Sequence, residues 1–106
     1  METKETQALV ESVRQIAKMY LLAVRNNEKT PDEQHGDETF LKNQMYIDKV
    51  NEAFNKLDGL ERSLINNDFF YQAYPDWWKK QFSRSTYYRI RKSSVRHFKM
   101  AFENEE

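Results

Sequence analysis

One hundred and six residues make one domain, or one small domain with an arm. Charged residues form 32% of the chain, hydrophobic residues 39% and aromatics 14%, a profile too rich in aromatics for disorder, and the longest apolar run, Met19 to Val24, is far short of the roughly 20 residues a bilayer span needs. With no Cys, a disulfide framework, a thiolate site and a zinc finger are excluded.

The start, with Glu2, Lys4 and Glu5, does not resemble a secretory leader, and the expected compartment is the cytoplasm. Only two Gly and two Pro argue against a sheet fold with many tight turns, so the expected class is all-α, with about five helices.

From about Glu5 to Asn26, Leu9, Val13, Ile16, Tyr20 and Ala23 recur at spacings of four and three, the signature of an amphipathic helix. Val10, Ala17, Leu21 and Val24 widen its stripe, which suits either the body of the same chain or a second surface, such as a dimer partner or a polymerase. Residues 28–37 hold Pro31, Gly36 and almost nothing apolar, so they read as a polar linker. A second helix is expected from Asp37 or Thr39 to about Leu57, with Phe40, Ile47 and Phe54 seven apart and Val50 and Leu57 beside the last two. Asp58, followed three residues later by Glu61, predicts a capping box opening a third helix. Leu60, Leu64 and Ile65 form the inner face of that helix, which should end near 69–71. Pro75 and Asp76 suit the first turn of a short fourth helix to about Phe82. Ser83 is a good N-cap for a fifth helix that runs to about Phe102. The expected organisation is therefore an N-terminal helix over 1–27, a linker over 28–37, a helical domain over 38–102 and an acidic tail over 103–106.

The net charge of zero conceals a strong asymmetry. Residues 1–76 carry nine basic and fourteen acidic groups, whereas residues 77–102 carry eight basic groups and no acidic one. A carboxylate-free stretch of this kind predicts a polyanionic partner. The plain alternative is a solvated helix whose charges are answered by the acidic half of the same chain.

On the fifth helix, Tyr87, Ile90, Ser94, Phe98 and Ala101 fall on one arc, with Val95 and Phe102 at its edge, and make a core face. On the opposite side, Ser85, Arg89, Lys92, Arg96 and Lys99 follow spacings of four, three, four and three. Like charges on one helix face repel unless something neutralises them. The first turn, Ser83-Arg84-Ser85-Thr86, sets short hydroxyls and one Arg at a helix N-terminus, where free N–H groups suit a phosphate. Thr86 either joins that surface or simply caps and packs.

The stretch Ser83 to Ile90, Ser-Arg-Ser-Thr-Tyr-Tyr-Arg-Ile, resembles the turn and recognition helix of a helix-turn-helix. Ala53 to Ile65, with Leu57, a turn, Glu61-Arg62 and an apolar continuation, is similar to the opening of sigma-factor region 4. Together, behind an N-terminal helix and a polar linker, they resemble phage transcriptional regulators of the ArpU family, most sharply over residues 53–102. The resemblance implies a sigma-region-4-like DNA-binding domain acting on phage or prophage genes in a bacterial host. It places base- and phosphate-contacting positions at Ser83, Arg84, Ser85, Tyr88, Arg89 and Lys92, and core positions at Tyr87 and Ile90. One departure stands out: the family usually carries an apolar residue and a Gly before the turn, where this chain has Lys80 and Gln81.

The combined expectation is a sequence-specific regulator whose helix 84–102 enters the major groove of double-stranded DNA. Arg84, Ser85 and Arg89 would lie nearest the bases, while Lys79, Lys80, Lys92, Arg96 and Lys99 meet phosphates. Two other roles fit the same residues: a DNA-packaging protein like a small terminase subunit, or a helical module docking on RNA polymerase. RNA is disfavoured because no aromatic-lined sheet is in view. Of Trp77 and Trp78, one is expected in the core and one at its edge. His35 and His97 lack accompanying ligands for a metal, the acidic run Asp32, Glu33, Asp37 and Glu38 reads as solvated, and no catalytic constellation or cofactor motif can be assembled.

Overall fold

A computed structural model describes residues 2–71 and 74–104. The described residues contain four α-helices: α1 (Lys4–Lys29), α2 (Glu38–Asn55), α3 (Gly59–Ile65) and α4 (Arg84–Glu103). A single 3-10 turn, Asp32–Gln34, lies between α1 and α2, and α3 continues into a π-helical turn over Asn66–Phe70. No strand occurs among the described residues, so the fold is all-α.

The starts of three helices follow from local chemistry. Thr3 accepts a hydrogen bond from the Thr6 N–H and caps α1. At α3, Asp58 accepts from the Glu61 N–H at 2.8 Å while the Glu61 carboxylate accepts from the Asp58 N–H, the reciprocal capping box the sequence predicts. Ser83 accepts from the Thr86 N–H at 3.2 Å and opens α4.

Three expectations need correction. The first helix runs on to Lys29, so the linker shortens to residues 30–37 and is partly ordered by the Asp32–Gln34 turn and by His35 stacked on Phe40 at 4.3 Å. The short fourth helix expected over 75–82 is a chain of turns instead. Its backbone bonds run mainly from residue i to i−3, as in Trp77 to Tyr74, Lys79 to Asp76 and Gln81 to Trp78. Tertiary contacts explain why. The Trp77 indole N–H donates to Asp68 at 2.7 Å, and Trp78 stacks face to face on Tyr87 at 4.3 Å. Trp77 also meets Tyr87 edge-on at 6.3 Å, so both indoles converge on one ring, and both are half-buried rather than split between core and edge.

The core joins all four helices. Val13 of α1, Leu64 and Ile65 of α3, and Val95 and Phe98 of α4 are fully buried, with Val50 and Ala53 of α2 nearly so. The α1 stripe is therefore covered within the chain along Val10, Val13, Ile16 and Ala17. Phe70 ties the layers together, with its ring edge-on to Tyr20, Phe54 and Phe98 at 5.4, 6.2 and 6.0 Å. Two polar side chains inside this core are satisfied locally. Ser94 donates to the Ile90 carbonyl at 2.7 Å, and Thr6 accepts from the Thr3 hydroxyl at 3.1 Å. Among the described residues, no helix is long and apolar enough to cross a membrane.

A candidate nucleic-acid interface

α4 is held by its inner side and offers its outer side. Along the inner side, Tyr87, Ser94, Val95 and Phe98 are buried. Val95, expected at the edge of the core arc, is among the most enclosed residues of the chain. Along the outer side, Ser85, Arg89, Lys92 and Arg96 are exposed, and the first turn exposes Ser83 and Arg84 as well.

Three carboxylates from other elements grip the helix. Asp68, in the π-turn, accepts from the Tyr87 hydroxyl and from the Trp77 indole. Its Oδ2 also lies 3.8 Å from Arg91 Nε. Glu2 Oε2 sits 3.2 Å from Arg91 Nη1. Glu61, only 8% exposed, uses one oxygen for its own helix cap and the other to accept from Ser93 Oγ at 3.3 Å and from His97 Nδ1. Because α3 runs antiparallel to α4 along this seam, Asp68 meets the first turns of α4 and Glu61 the middle ones. Burial, followed by the Asp68 hydrogen bond and charge, pushes the Tyr87 phenol well above its ordinary range.

The predicted site residues separate into groups. Arg84, Arg89, Lys92, Arg96 and Lys80 make no ion pair among the described residues, and all five are exposed. Lys99, by contrast, is half-buried and pairs with Glu103 at 2.7 Å, so its charge is answered within the last turn. Lys79 lies 3.3 Å from Asp76 on the turn segment. Thr86 serves the cap: its N–H goes to Ser83, whose hydroxyl donates to Thr86 Oγ1 at 2.9 Å. Tyr88 is half-buried, and two guanidiniums, those of Arg84 and Arg91, each lie 5.9 Å from the centre of its ring. Beside it, an open cleft is lined by Glu2, by the cap residue Thr3 and Thr6 of the first turn of α1, and by Arg89 and Lys92.

Arg91 is the residue that charge counting misplaces. It belongs to the carboxylate-free stretch, yet its side chain is 16% exposed and turned inward against Glu2, Asp68 and the Phe69 ring. The spacing held a signal, since Tyr87, Arg91, Val95 and Phe98 follow intervals of four, four and three along the buried line. Ser93 and His97 were likewise missed as the α4 partners of Glu61.

An exposed row of Arg89, Lys92 and Arg96 at spacings of three and four carries unrelieved repulsion, worth about 0.2–0.5 kcal/mol per neighbouring pair. An anion lying along the row removes that cost. Among the described residues, no group of three or more His, Asp or Glu side chains could hold a metal. Comparison with protein-family models, with curated proteins and with solved structures gives no match.

Proposed function

We propose that this chain is a sequence-specific DNA-binding regulator of transcription, acting on phage or prophage genes in the bacterial cytoplasm, with α4 as the helix that enters the major groove. The observation that carries the reading is the row Arg89, Lys92 and Arg96, exposed together with Arg84 of the first turn and without ion pairs among the described residues, on a helix whose other side is clamped by Glu61 and Asp68. A reader needs this combination: a rigid inner side that sets the angle of the helix and an outer side free to meet phosphates and base edges. Arg84, Ser85 and Arg89 are assigned to the bases. Lys92, Arg96 and Lys80 are assigned to the sugar–phosphate backbone, with Lys79 and Lys99 in a lesser role because Asp76 and Glu103 already answer them. The reading is one of binding rather than catalysis, and RNA polymerase is a further partner consistent with it.

The experiment is a titration of duplex DNA at about 50 and 200 mM salt, after selection of a preferred site from a random pool. The three phosphate contacts of Lys92, Arg96 and Lys80 give a slope of log K against log salt of about −3. Absence of binding at the lower salt, with the folded protein in excess, rules the reading out and favours a helical module that docks on another protein.

A further inference from the structure

The three carboxylates that reach α4 from other elements are not bonded alike. Asp68 accepts from the Tyr87 hydroxyl and the Trp77 indole. Glu61 accepts from Ser93 and His97 and from the backbone of its own cap. Each of the two is fixed by directional bonds from several donors, as carboxylates built into a fold are. Glu2 differs. It precedes the Thr3 cap of α1, outside any helix, and its side chain is only 15% exposed. Its Oε2 lies 3.2 Å from Arg91 Nη1, yet that oxygen makes no hydrogen bond among the described residues, and neither does Arg91 Nε. The two groups are close but misaligned, so the pair is held by charge and not by direction.

Position makes this loose pairing consequential. Two clefts border Tyr88, and Glu2 lines both. One is shared with Thr3, Thr6, Arg89 and Lys92, the other with Gln7, Arg84 and Arg91. Glu2 is the one acidic residue in either lining, set among four cations of the first half of α4. Within one small cleft charges act largely unscreened, because the screening length at physiological salt is about 8 Å. A DNA strand drawn to Arg89 and Lys92 therefore brings its phosphates up to a carboxylate already in place.

We infer that Glu2 is an internal competitor for DNA phosphate, an autoinhibitory contact that lowers the affinity of α4 for the sugar–phosphate backbone. The inference rests on the nucleic-acid reading and adds a control to it. A bound strand either displaces the carboxylate from Arg91 or lies against it, and both weaken binding. The penalty falls on every sequence alike, because it acts on phosphates and not on base edges. A Glu2 that served only the fold would act in the opposite sense. Its loss would loosen Arg91, and with it α4, so binding would weaken.

The test is a duplex titration of the full chain carrying Glu2→Gln, which keeps the shape and removes the charge. At about 50 mM salt this variant is expected to bind selected and random duplex alike about threefold to tenfold more tightly than the unmodified chain. The gain should shrink at about 200 mM salt, where screening is stronger. Its urea midpoint should be no higher than that of the unmodified chain, since an ion pair is lost and none is gained. Glu33→Gln controls for net charge. It removes the same charge from the Asp32–Gln34 turn, beyond the other end of a 26-residue helix about 39 Å long. That exchange should change affinity less than about twofold. A Glu2→Gln chain that binds no better than the unmodified one, that gains on the selected duplex alone, or whose gain Glu33→Gln equals, overturns the inference and leaves the nucleic-acid reading standing. Absence of binding by all three chains overturns both.

Discussion

Arg91 Nη1 lies 3.2 Å from Glu2 Oε2, which ties the first residues of the chain to the middle of its basic helix. With Asp68 Oδ2 at 3.8 Å and the Phe69 and Tyr88 rings beside it, the guanidinium is a strut between α1, the π-turn and α4. One of the eight cations of the basic stretch is thus spent on the fold, and the structure separates it from those left for a partner.

Replacing that strut leaves two poorly solvated carboxylates facing each other's surroundings without a counter-charge. Arg91→Ala is expected to cost about 2–3 kcal/mol in urea unfolding, slightly below the range for a fully buried pair because all three groups keep some solvent contact. Arg89→Ala, on the exposed row, should change stability by less than about 0.5 kcal/mol. Equal losses for the two variants would show that Arg91 is not a strut.

On DNA the ranking of functional effects divides differently. Arg89→Ala is expected to relax the preference at one base pair, at about 1–3 kcal/mol on the selected site and little on random duplex. Lys92→Ala should weaken both duplexes alike and reduce the salt slope by about 1. Parallel losses on selected and random duplex for both variants would remove direct base reading from α4.

What could be read in the sequence was local. The Asp58–Glu61 box and the Ser83 cap each involve residues three apart, so side-chain type and spacing determine them before any tertiary contact forms. The exposed row on α4 was legible for the same reason, because a 100° step decides which residues share a face. The remainder depended on partners distant in the chain. The segment 75–82 has the Pro75-Asp76 start of a helix, but Asp68 and Tyr87 draw both indoles to one place and hold it in turns. Glu61 was legible as a cap but not as the acceptor for Ser93 and His97, more than thirty residues away. Arg91 counted as one more cation until Glu2 and Asp68 were found around it.

Alkaline pH should probe the Asp68 cluster. Burial raises the Tyr46 phenol, and burial together with Asp68 raises that of Tyr87, so the folded state holds both protons beyond the ordinary tyrosine value of about 10. The folded state therefore binds more protons than the unfolded chain above that value. The associated stability is complete below about pH 10 and is lost as pH rises through it. Urea midpoints are expected to stay level to about pH 9.5 and then fall. Tyr87→Phe should start about 1 kcal/mol lower at neutral pH, having lost a donor to Asp68, and show a shallower alkaline decline. A decline as steep as that of the wild type would assign the effect elsewhere.

Glu61 offers the sharpest separation between holding the fold and aiming the reading helix. Its carboxylate closes the α3 cap through Asp58 and reaches Ser93 and His97 on α4, so it links the start of one helix to the rotational setting of another. Glu61→Ala removes the cap's return bond and leaves the two α4 groups without their acceptor, at an expected cost of about 2–3 kcal/mol. Glu61→Gln keeps the shape and one acceptor oxygen and should cost about half as much. At a temperature where both variants are fully folded, the selected duplex is expected to lose more affinity than random duplex, and more for Ala than for Gln. Phosphate contacts tolerate a small rotation of α4, whereas base-edge contacts require a fixed register. Losses of the same size on both duplexes, or an Ala variant no worse than Gln, would reduce Glu61 to a helix cap with no part in positioning α4.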